Sequence, residues 1–77
     1  MNSLPILKPQ EVIKALLRGD FYIHHQTGSH VRLLHKTRPE LRVTVPIHSM
    51  NMPKGTLKRI LRQTDLTVEE FREFLKW

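Results

Sequence analysis

The sequence predicts an α+β domain with two layers and elements in the order α-β-β-β-α-α. Three observations lead to this class: apolar residues at helical spacing near both ends, runs rich in aromatic and β-branched residues between them, and glycine or proline at the junctions. We expect the helices to cover the apolar face of a three-stranded antiparallel sheet. The 77 residues are expected to form a single domain, with residues 1–7 as a loose lead-in.

The first helix is predicted to begin at Pro9, because proline suits the first helical position. Gly19 is predicted to end this helix at the C′ position, where glycine is common. Between them, one apolar stripe is formed by Val12, Ile13, Leu16 and Leu17.

Three strands are predicted over residues 21–26, 30–35 and 41–45, with turns at 27–29 and 36–40. Pro46 is expected to end the third strand, because proline cannot donate to a sheet ladder. Gly28 is interpreted as the residue that permits the tight first turn. A three-residue loop there would set Gln26 opposite His30 and His24 opposite Arg32.

Side chains alternate between the two faces of a strand, so each strand divides into an inward and an outward set. The inward set is Phe21, Ile23, Val31, Leu33, Leu41, Val43 and Val45. The outward set is Tyr22, His24, Gln26, His30, Arg32, Arg42 and Thr44. An open face of aromatic, imidazole and guanidinium groups suits RNA, where stacking and phosphate contacts dominate. The alternative is the ordinary polar face of any two-layer domain, and Leu34 and His35 fit the division poorly.

Two further helices complete the chain. The second is predicted over residues 54–63, with Lys54, Lys58 and Arg62 recurring at every fourth position on its polar side. Thr67 and Glu70 form a capping box that begins the third helix.

The formal charge of the chain is +6, and it is unevenly distributed. Residues 30–62 hold eight basic residues against a single acidic one, whereas residues 63–77 carry a net charge of −2. The middle of the chain therefore has the electrostatic character of a polyanion-binding surface, for which nucleic acid is the first candidate and an acidic protein partner the main alternative.

Several classes of protein are excluded by what the sequence lacks. It has no cysteine, which excludes a disulfide framework, a zinc–thiolate site and a thiol nucleophile, and a cytoplasmic location fits this composition. The first twenty residues carry five charged side chains and no long apolar run, so we expect neither a signal peptide nor a membrane partner. The three glycines are isolated, so we expect no nucleotide loop and no small-molecule cofactor.

Five histidines in so short a chain suggest acid–base chemistry rather than metal binding. No carboxylate lies near them at ligand spacing, so no metal is expected, and His24 and His25 would face opposite ways on a strand. RNA supplies its own nucleophile, the 2′-hydroxyl, and imidazole can move protons near neutral pH. His30 is the best candidate, because it follows the Gly28-Ser29 turn, whose backbone N–H groups can meet a phosphate, and points outward beside Arg32.

At this point the sequence resembles the HicA-like mRNA interferase toxins of prokaryotic toxin–antitoxin pairs. The resemblance extends over roughly residues 8–75 and rests on an ordered set of blocks. These blocks are residues 11–16 of the first helix, Gln26-Thr27-Gly28-Ser29-His30, Val43-Thr44-Val45-Pro46-Ile47-His48, and residues 54–63 with Lys54-Gly55-Thr56-Leu57 at their start.

The resemblance implies a double-stranded-RNA-binding-domain-like fold with a short extra C-terminal helix, and metal-independent ribonuclease activity on mRNA. It places His30 at the catalytic position, with His48 as a possible second acid or base. It also implies a HicB-like antitoxin that binds and blocks the active face. Two positions depart from the family pattern: Asp20 stands where a glycine is usual before Phe21, and His25 occupies a position that is often basic.

The residues expected to contact RNA are spread over the chain: Tyr22, His24, Gly28, Ser29, Arg32, Arg42, Lys54, Lys58, Arg59 and Arg62. The four on the second helix could equally form the patch that an acidic antitoxin grips. Two alternatives to the nuclease interpretation stay open, namely a domain of the same fold that binds RNA without cutting it, and a protein that acts mainly through an acidic partner.

Overall fold

A computed structural model describes residues 4–47 and 50–76 of the chain. The element order predicted from the sequence is confirmed, as is the α+β class with an additional C-terminal helix. The elements are α1 (Pro9–Arg18), β1 (Phe21–Gln26), β2 (His30–His35), β3 (Arg42–Pro46), α2 (Lys54–Thr64) and α3 (Val68–Leu75).

The three strands form one antiparallel sheet in the order β1-β2-β3, and the helices cover one of its faces. α2 packs on β3, α1 packs on β1 and β3, and α3 packs on α1. The core between the layers includes Leu16, Phe21, Leu33, Leu57, Ile60 and Phe71, each at most 2% exposed. No helix among the described residues packs on the opposite face of the sheet, which is left open.

Residues 4–8 form no helix or strand, but this part of the lead-in is not loose. Leu4 and Leu7 are buried in the hydrophobic core. The backbone N–H of Met52 donates to the carbonyl of Leu7 at 2.7 Å, which ties the lead-in to the loop before α2. Met52 is itself buried, whereas Met50 is exposed.

α1 begins at Pro9 as predicted, and its first turn is closed by Glu11, whose Oε1 accepts from the Lys8 N–H at 2.8 Å. α1 ends at Arg18 and Gly19 follows it, as predicted, but Gly19 does not take the left-handed conformation that often favours glycine there: its φ is −91°, and Asp20 has the positive φ of 70° instead. Gly19 is small for a different reason. A Cβ there would come within 3.0 Å of the Phe74 ring, so the glycine allows α3 to pack against α1.

The register of β1 differs from the one predicted. Gln26 lies opposite Val31 and His25 opposite Arg32, with an irregularity between Ile23 and His25. The turn is one residue shorter than expected, since the Thr27 N–H donates to the His30 carbonyl at 2.9 Å and sets Thr27 opposite His30. The tighter turn shifts the pairing of His25 and Gln26 with β2 by one residue. A bulge at His24 takes up the extra residue, so Phe21 to Ile23 pair with β2 in the predicted register.

As a result Gln26 changes face, and Ile23 keeps its face but is not buried. Gln26, expected to face outward, lies opposite Val31 on the helix side of the sheet. Ile23 is on the side expected, opposite Leu33, but it is 43% exposed rather than part of the core. β1 is buried only at Phe21, so its remaining length extends beyond the cover of the helices.

β3 and α2 keep nearly their predicted bounds. The third strand begins at Arg42 rather than Leu41 and includes Pro46, which lies opposite His30. α2 continues to Thr64, whose hydroxyl donates to the Ile60 carbonyl at 2.9 Å. The capping box of α3 is confirmed, because Thr67 and Glu70 exchange side-chain-to-backbone hydrogen bonds of 3.1 and 2.9 Å.

An exposed ion-pair network joins the loop after β2 to the end of α2. Arg38 contacts Glu40 at 3.1 Å and Asp65 at 3.2 Å. A hydrogen bond from its own backbone and one from Arg38 hold the pKa of Glu40 below its usual value, and these carboxylates raise the pKa of Arg38. Within residues 4–47 and 50–76, no helix has the length and apolar character needed to span a membrane.

Candidate functional site

The turn between β1 and β2 is organised by Thr27. Its Oγ1 accepts from the backbone N–H of His30 at 3.1 Å and from that of Ser29 at 3.3 Å. The Ile47 N–H donates to the Ser29 carbonyl at 2.7 Å, which anchors the turn to the end of β3. Two of the N–H groups expected to meet a phosphate are therefore already engaged inside the turn, so the backbone fixes the position of His30 instead.

The imidazole of His30 is exposed on the open face of the sheet and is held through one nitrogen. Its Nδ1 lies 2.9 Å from the hydroxyl oxygen of Ser29. This contact leaves Nε2 as the nitrogen directed away from the turn. A neutral ring with Nδ1–H donating to Ser29 presents a lone pair at Nε2, and the charged ring presents a proton there, so Nε2 is equipped for either proton transfer.

A cleft of about 390 Å³ lies on the same open face of the sheet. Its lining combines two guanidinium groups and one imidazole with apolar surface: His24, Arg32, Leu34, Pro39 and Arg42. Tyr22 lies opposite Leu34 and is 40% exposed. The cleft thus offers cations for phosphate beside apolar side chains on which a base can stack.

Sequence reasoning missed two members of this cleft. Leu34 was recognised only as a residue that fitted the inward and outward pattern poorly, and its outward position explains that misfit. Pro39 gave no signal, because a proline in a turn is ordinary and its contact with the sheet face depends on how the loop folds back.

The bulge in β1 also changes the position of His25. An alternating strand would direct His24 and His25 to opposite faces, but His25 lies opposite Arg32, and His24 lines the cleft with Arg32. Residues opposite each other in an antiparallel pair share a face. Both histidines are therefore on the open face, contrary to the prediction for this pair.

The interpretation of Gly28 as a conformational glycine is wrong. Its φ is not positive, and a Cβ added to it would meet no atom within 4 Å. Neither the backbone nor the packing of the turn requires glycine at this position.

His35 has a structural role at the other end of β2. Its Nδ1 accepts from the backbone N–H groups of Arg38 at 3.1 Å and Thr37 at 3.2 Å, and its ring meets Phe21 edge-on with centroids 4.9 Å apart. The ring thereby joins the turn after β2 to the core.

The basic residues of α2 do not join the open face. Leu57, Ile60 and Leu61 bury α2 in the core on the helix side of the sheet, so its cations belong to the other layer. Lys58 and Arg62 line a groove with Leu61, Leu66 and Val68 between α2 and α3. Lys54 and Arg59 are exposed on the same helix. The expected RNA contacts therefore divide into two surfaces.

Two remaining expectations concern His48 and metals. His48 lies outside the described residues. Across residues 4–47 and 50–76 there is no group of three or more histidine, cysteine, aspartate or glutamate side chains able to hold a metal ion.

The fold and this face define a class: a small α+β domain that presents imidazole and guanidinium groups on an uncovered sheet. The protein-family model described as HicA toxin of bacterial toxin–antitoxin matches residues 9–66, which is most of the chain. The chain therefore belongs to the HicA toxin family, and it is a toxin that pairs with an antitoxin. No curated protein gives a significant match. The match ends before α3, so the described helix that packs Phe71 and Phe74 against α1 lies beyond the matched region.

Proposed function

We propose that this toxin is a metal-independent endoribonuclease that cleaves mRNA, with His30 as a general acid or base. The observation that carries the proposal is the setting of His30: an exposed imidazole on the open face, oriented through Nδ1 by Ser29 at 2.9 Å, with Nε2 directed outward. Cytoplasm, where mRNA is translated, is the compartment in which this activity would act.

The chemistry needs only groups of the kinds found on this face. A base removes the proton of the 2′-hydroxyl, and the resulting oxygen attacks the adjacent phosphorus. The bond from phosphorus to the 5′-oxygen breaks, and an acid supplies a proton to that oxygen. The products are a 2′,3′-cyclic phosphate and a free 5′-hydroxyl. Arg32, two residues along β2 from His30 and on the same face, supplies positive charge for the phosphate.

The cleft beside His30 would bind the RNA strand. Arg32 and Arg42 would contact phosphates, and a base would stack on the surface formed by Leu34 and Tyr22, with His24 at the edge. Gly28 and Ser29 would lie along the path of the backbone. RNA would then contact only the sheet, and the α2 cations would be left for another ligand.

The decisive experiment is RNA cleavage by wild type and His30→Ala, purified identically and assayed in EDTA. We expect wild type to cleave and His30→Ala to lose at least about a hundredfold in rate, since a proton-transfer group contributes this much or more. The variant also serves as the control for contaminating nucleases. Urea unfolding should give the same stability for both proteins within about 0.5 kcal/mol, because the ring is exposed.

The other outcomes identify the alternatives. Loss of cleavage by wild type on adding EDTA would contradict a metal-independent mechanism. Binding of RNA by wild type without cleavage would support a domain of this fold that holds RNA only.

The partner of the toxin would be a HicB-like antitoxin that covers the open face. Its acidic side chains would also reach the groove between α2 and α3, where Lys58 and Arg62 stand beside the apolar Leu66 and Val68. The mixture of cations and exposed apolar surface suits an acidic protein with apolar anchors.

A further inference from the structure

The second proton-transfer group follows from the bulge in β1. RNA cleavage through the 2′-hydroxyl needs a base and an acid, and His30 can fill one role at a time. The irregularity between Ile23 and His25 sets His25 opposite Arg32, whereas a regular strand would direct it toward the helices. The bulge thus brings a second imidazole to the face that carries His30.

The spacing between the two rings suits a single phosphodiester. Arg32 is two residues beyond His30 on β2, so His25 is the diagonal neighbour of His30 across the β1–β2 pair. Diagonal neighbours on one face of an antiparallel pair lie roughly 7–8 Å apart, within reach of long side chains. A phosphate between the two imidazoles would meet Arg32 from the same side.

We propose that His25 is the second catalytic residue, and that His25 and His30 divide the two proton transfers between them. This rests on the proposed ribonuclease function. One imidazole takes the 2′-hydroxyl proton as the 2′-oxygen bonds to phosphorus. The other gives its proton to the 5′-oxygen as the bond from phosphorus to that oxygen breaks. One imidazole therefore gains a proton and the other loses one, and the reaction needs no metal or co-reactant.

The other described histidines are less suited to this role. His24 lies within the bulge and lines the cleft with Arg42 and Leu34, on the side of Arg32 away from the turn. His35 is engaged through Nδ1 with the turn after β2 and packs on Phe21. His25 is exposed and is the histidine whose strand partner lies next to His30 on the open face.

The test uses an RNA whose wild-type cleavage bond has been mapped, and a copy with the 5′-oxygen at that bond replaced by sulfur. A thiolate leaves without being protonated, so the sulfur substrate does not need the general acid. On the oxygen substrate we expect His25→Ala, His25→Gln and His30→Ala each to lose at least about a hundredfold in rate. On the sulfur substrate, the variants at one of the two histidines should recover and those at the other should not.

Controls separate a chemical effect from a structural one. Circular dichroism and urea unfolding should match wild type for both His25 variants, since the side chain is exposed. His24→Ala should raise KM through weaker RNA binding without a hundredfold change in kcat, and it should show no recovery specific to sulfur.

Several results would overturn the assignment of His25. The first is a cleavage rate of His25→Ala within about threefold of wild type. The second is a cleavage rate that recovers on the sulfur substrate for the variants of both histidines or of neither. The third is recovery of the rate on that substrate by His48→Ala instead. Failure of wild type to cut RNA at any bond during the mapping would reject the proposed function and this inference together, whereas the other results leave the function intact.

Discussion

The presence of glycine at position 28 is explained by the close approach of a ligand rather than by the backbone conformation of the turn. Its φ is one that any residue adopts, and the space at its Cβ is empty. Yet it lies beside the Ser29 and His30 pair that orients the imidazole. Close approach of a ligand backbone is the remaining physical reason for a residue without a side chain.

We therefore expect Gly28→Ala to fold normally and to cut RNA poorly. Its stability should equal that of wild type or exceed it by up to about 1 kcal/mol, because alanine has less freedom to lose on folding. Its cleavage rate should fall at least about tenfold, since a methyl group would stand where the RNA backbone passes. Urea unfolding and the cleavage assay measure the two effects separately.

Gly55→Ala is the matched control. Gly55 also lacks a positive φ and has open space at its Cβ, but it lies in the first turn of α2. The substitution should stabilise the helix by about 0.5–1 kcal/mol and leave cleavage unchanged. Equal activity of both variants would remove Gly28 from the RNA path.

At the scale of elements, periodicity predicted the type and order of every helix and strand but not the register of β1. The run from Phe21 to Gln26 alternates without a glycine or other residue that favours a bulge, so the sequence carries no local signal for one. The register depends instead on Thr27, whose hydroxyl closes a tighter turn by accepting from two backbone N–H groups. The hydrogen bonds of the turn, rather than the alternation of the strand, therefore set the register of β1. The register in turn determines which histidines share a face.

The turn after β2 offers a test that separates a structural histidine from a catalytic one. We expect His35→Ala to lower the free energy of unfolding by about 1–2 kcal/mol, because it removes an aromatic contact with Phe21 and an acceptor for two backbone N–H groups. His35→Asn retains an acceptor near the position of Nδ1 and should recover part of the loss. Urea unfolding measures both.

The cleavage rate of His35→Ala should equal that of wild type at a temperature where both are fully folded. A variant as stable as wild type but unable to cleave would show that His35 acts on RNA, and it would remove the distinction drawn between His30 and His35.

At the scale of the whole molecule, the two-layer fold divides a charge that looks continuous in the sequence. Residues 30–62 carry a net charge of +7, which exceeds the +6 of the whole chain, and sequence alone suggests one basic surface. The fold places Arg32 and Arg42 on the open sheet and the α2 cations on the helix layer. Composition could predict that a polyanion binds, but not which layer binds it, because that depends on how strands and helices stack.

Salt dependence of RNA affinity distinguishes the two layers. Each phosphate neutralised on single-stranded RNA contributes about −0.7 to the slope of log K against log salt concentration. If RNA lies on the open sheet, Arg32→Ala and Arg42→Ala should each make the slope shallower by about 0.7. Lys58→Ala and Arg62→Ala, with the same loss of charge on the helix layer, should weaken binding only slightly and leave the slope unchanged.

All four variants are measured in the His30→Ala background, which prevents cleavage, between about 50 and 200 mM salt. Equal changes from both sets would mean that RNA spans the two layers, and changes from the α2 set alone would move the RNA surface off the sheet and away from His30.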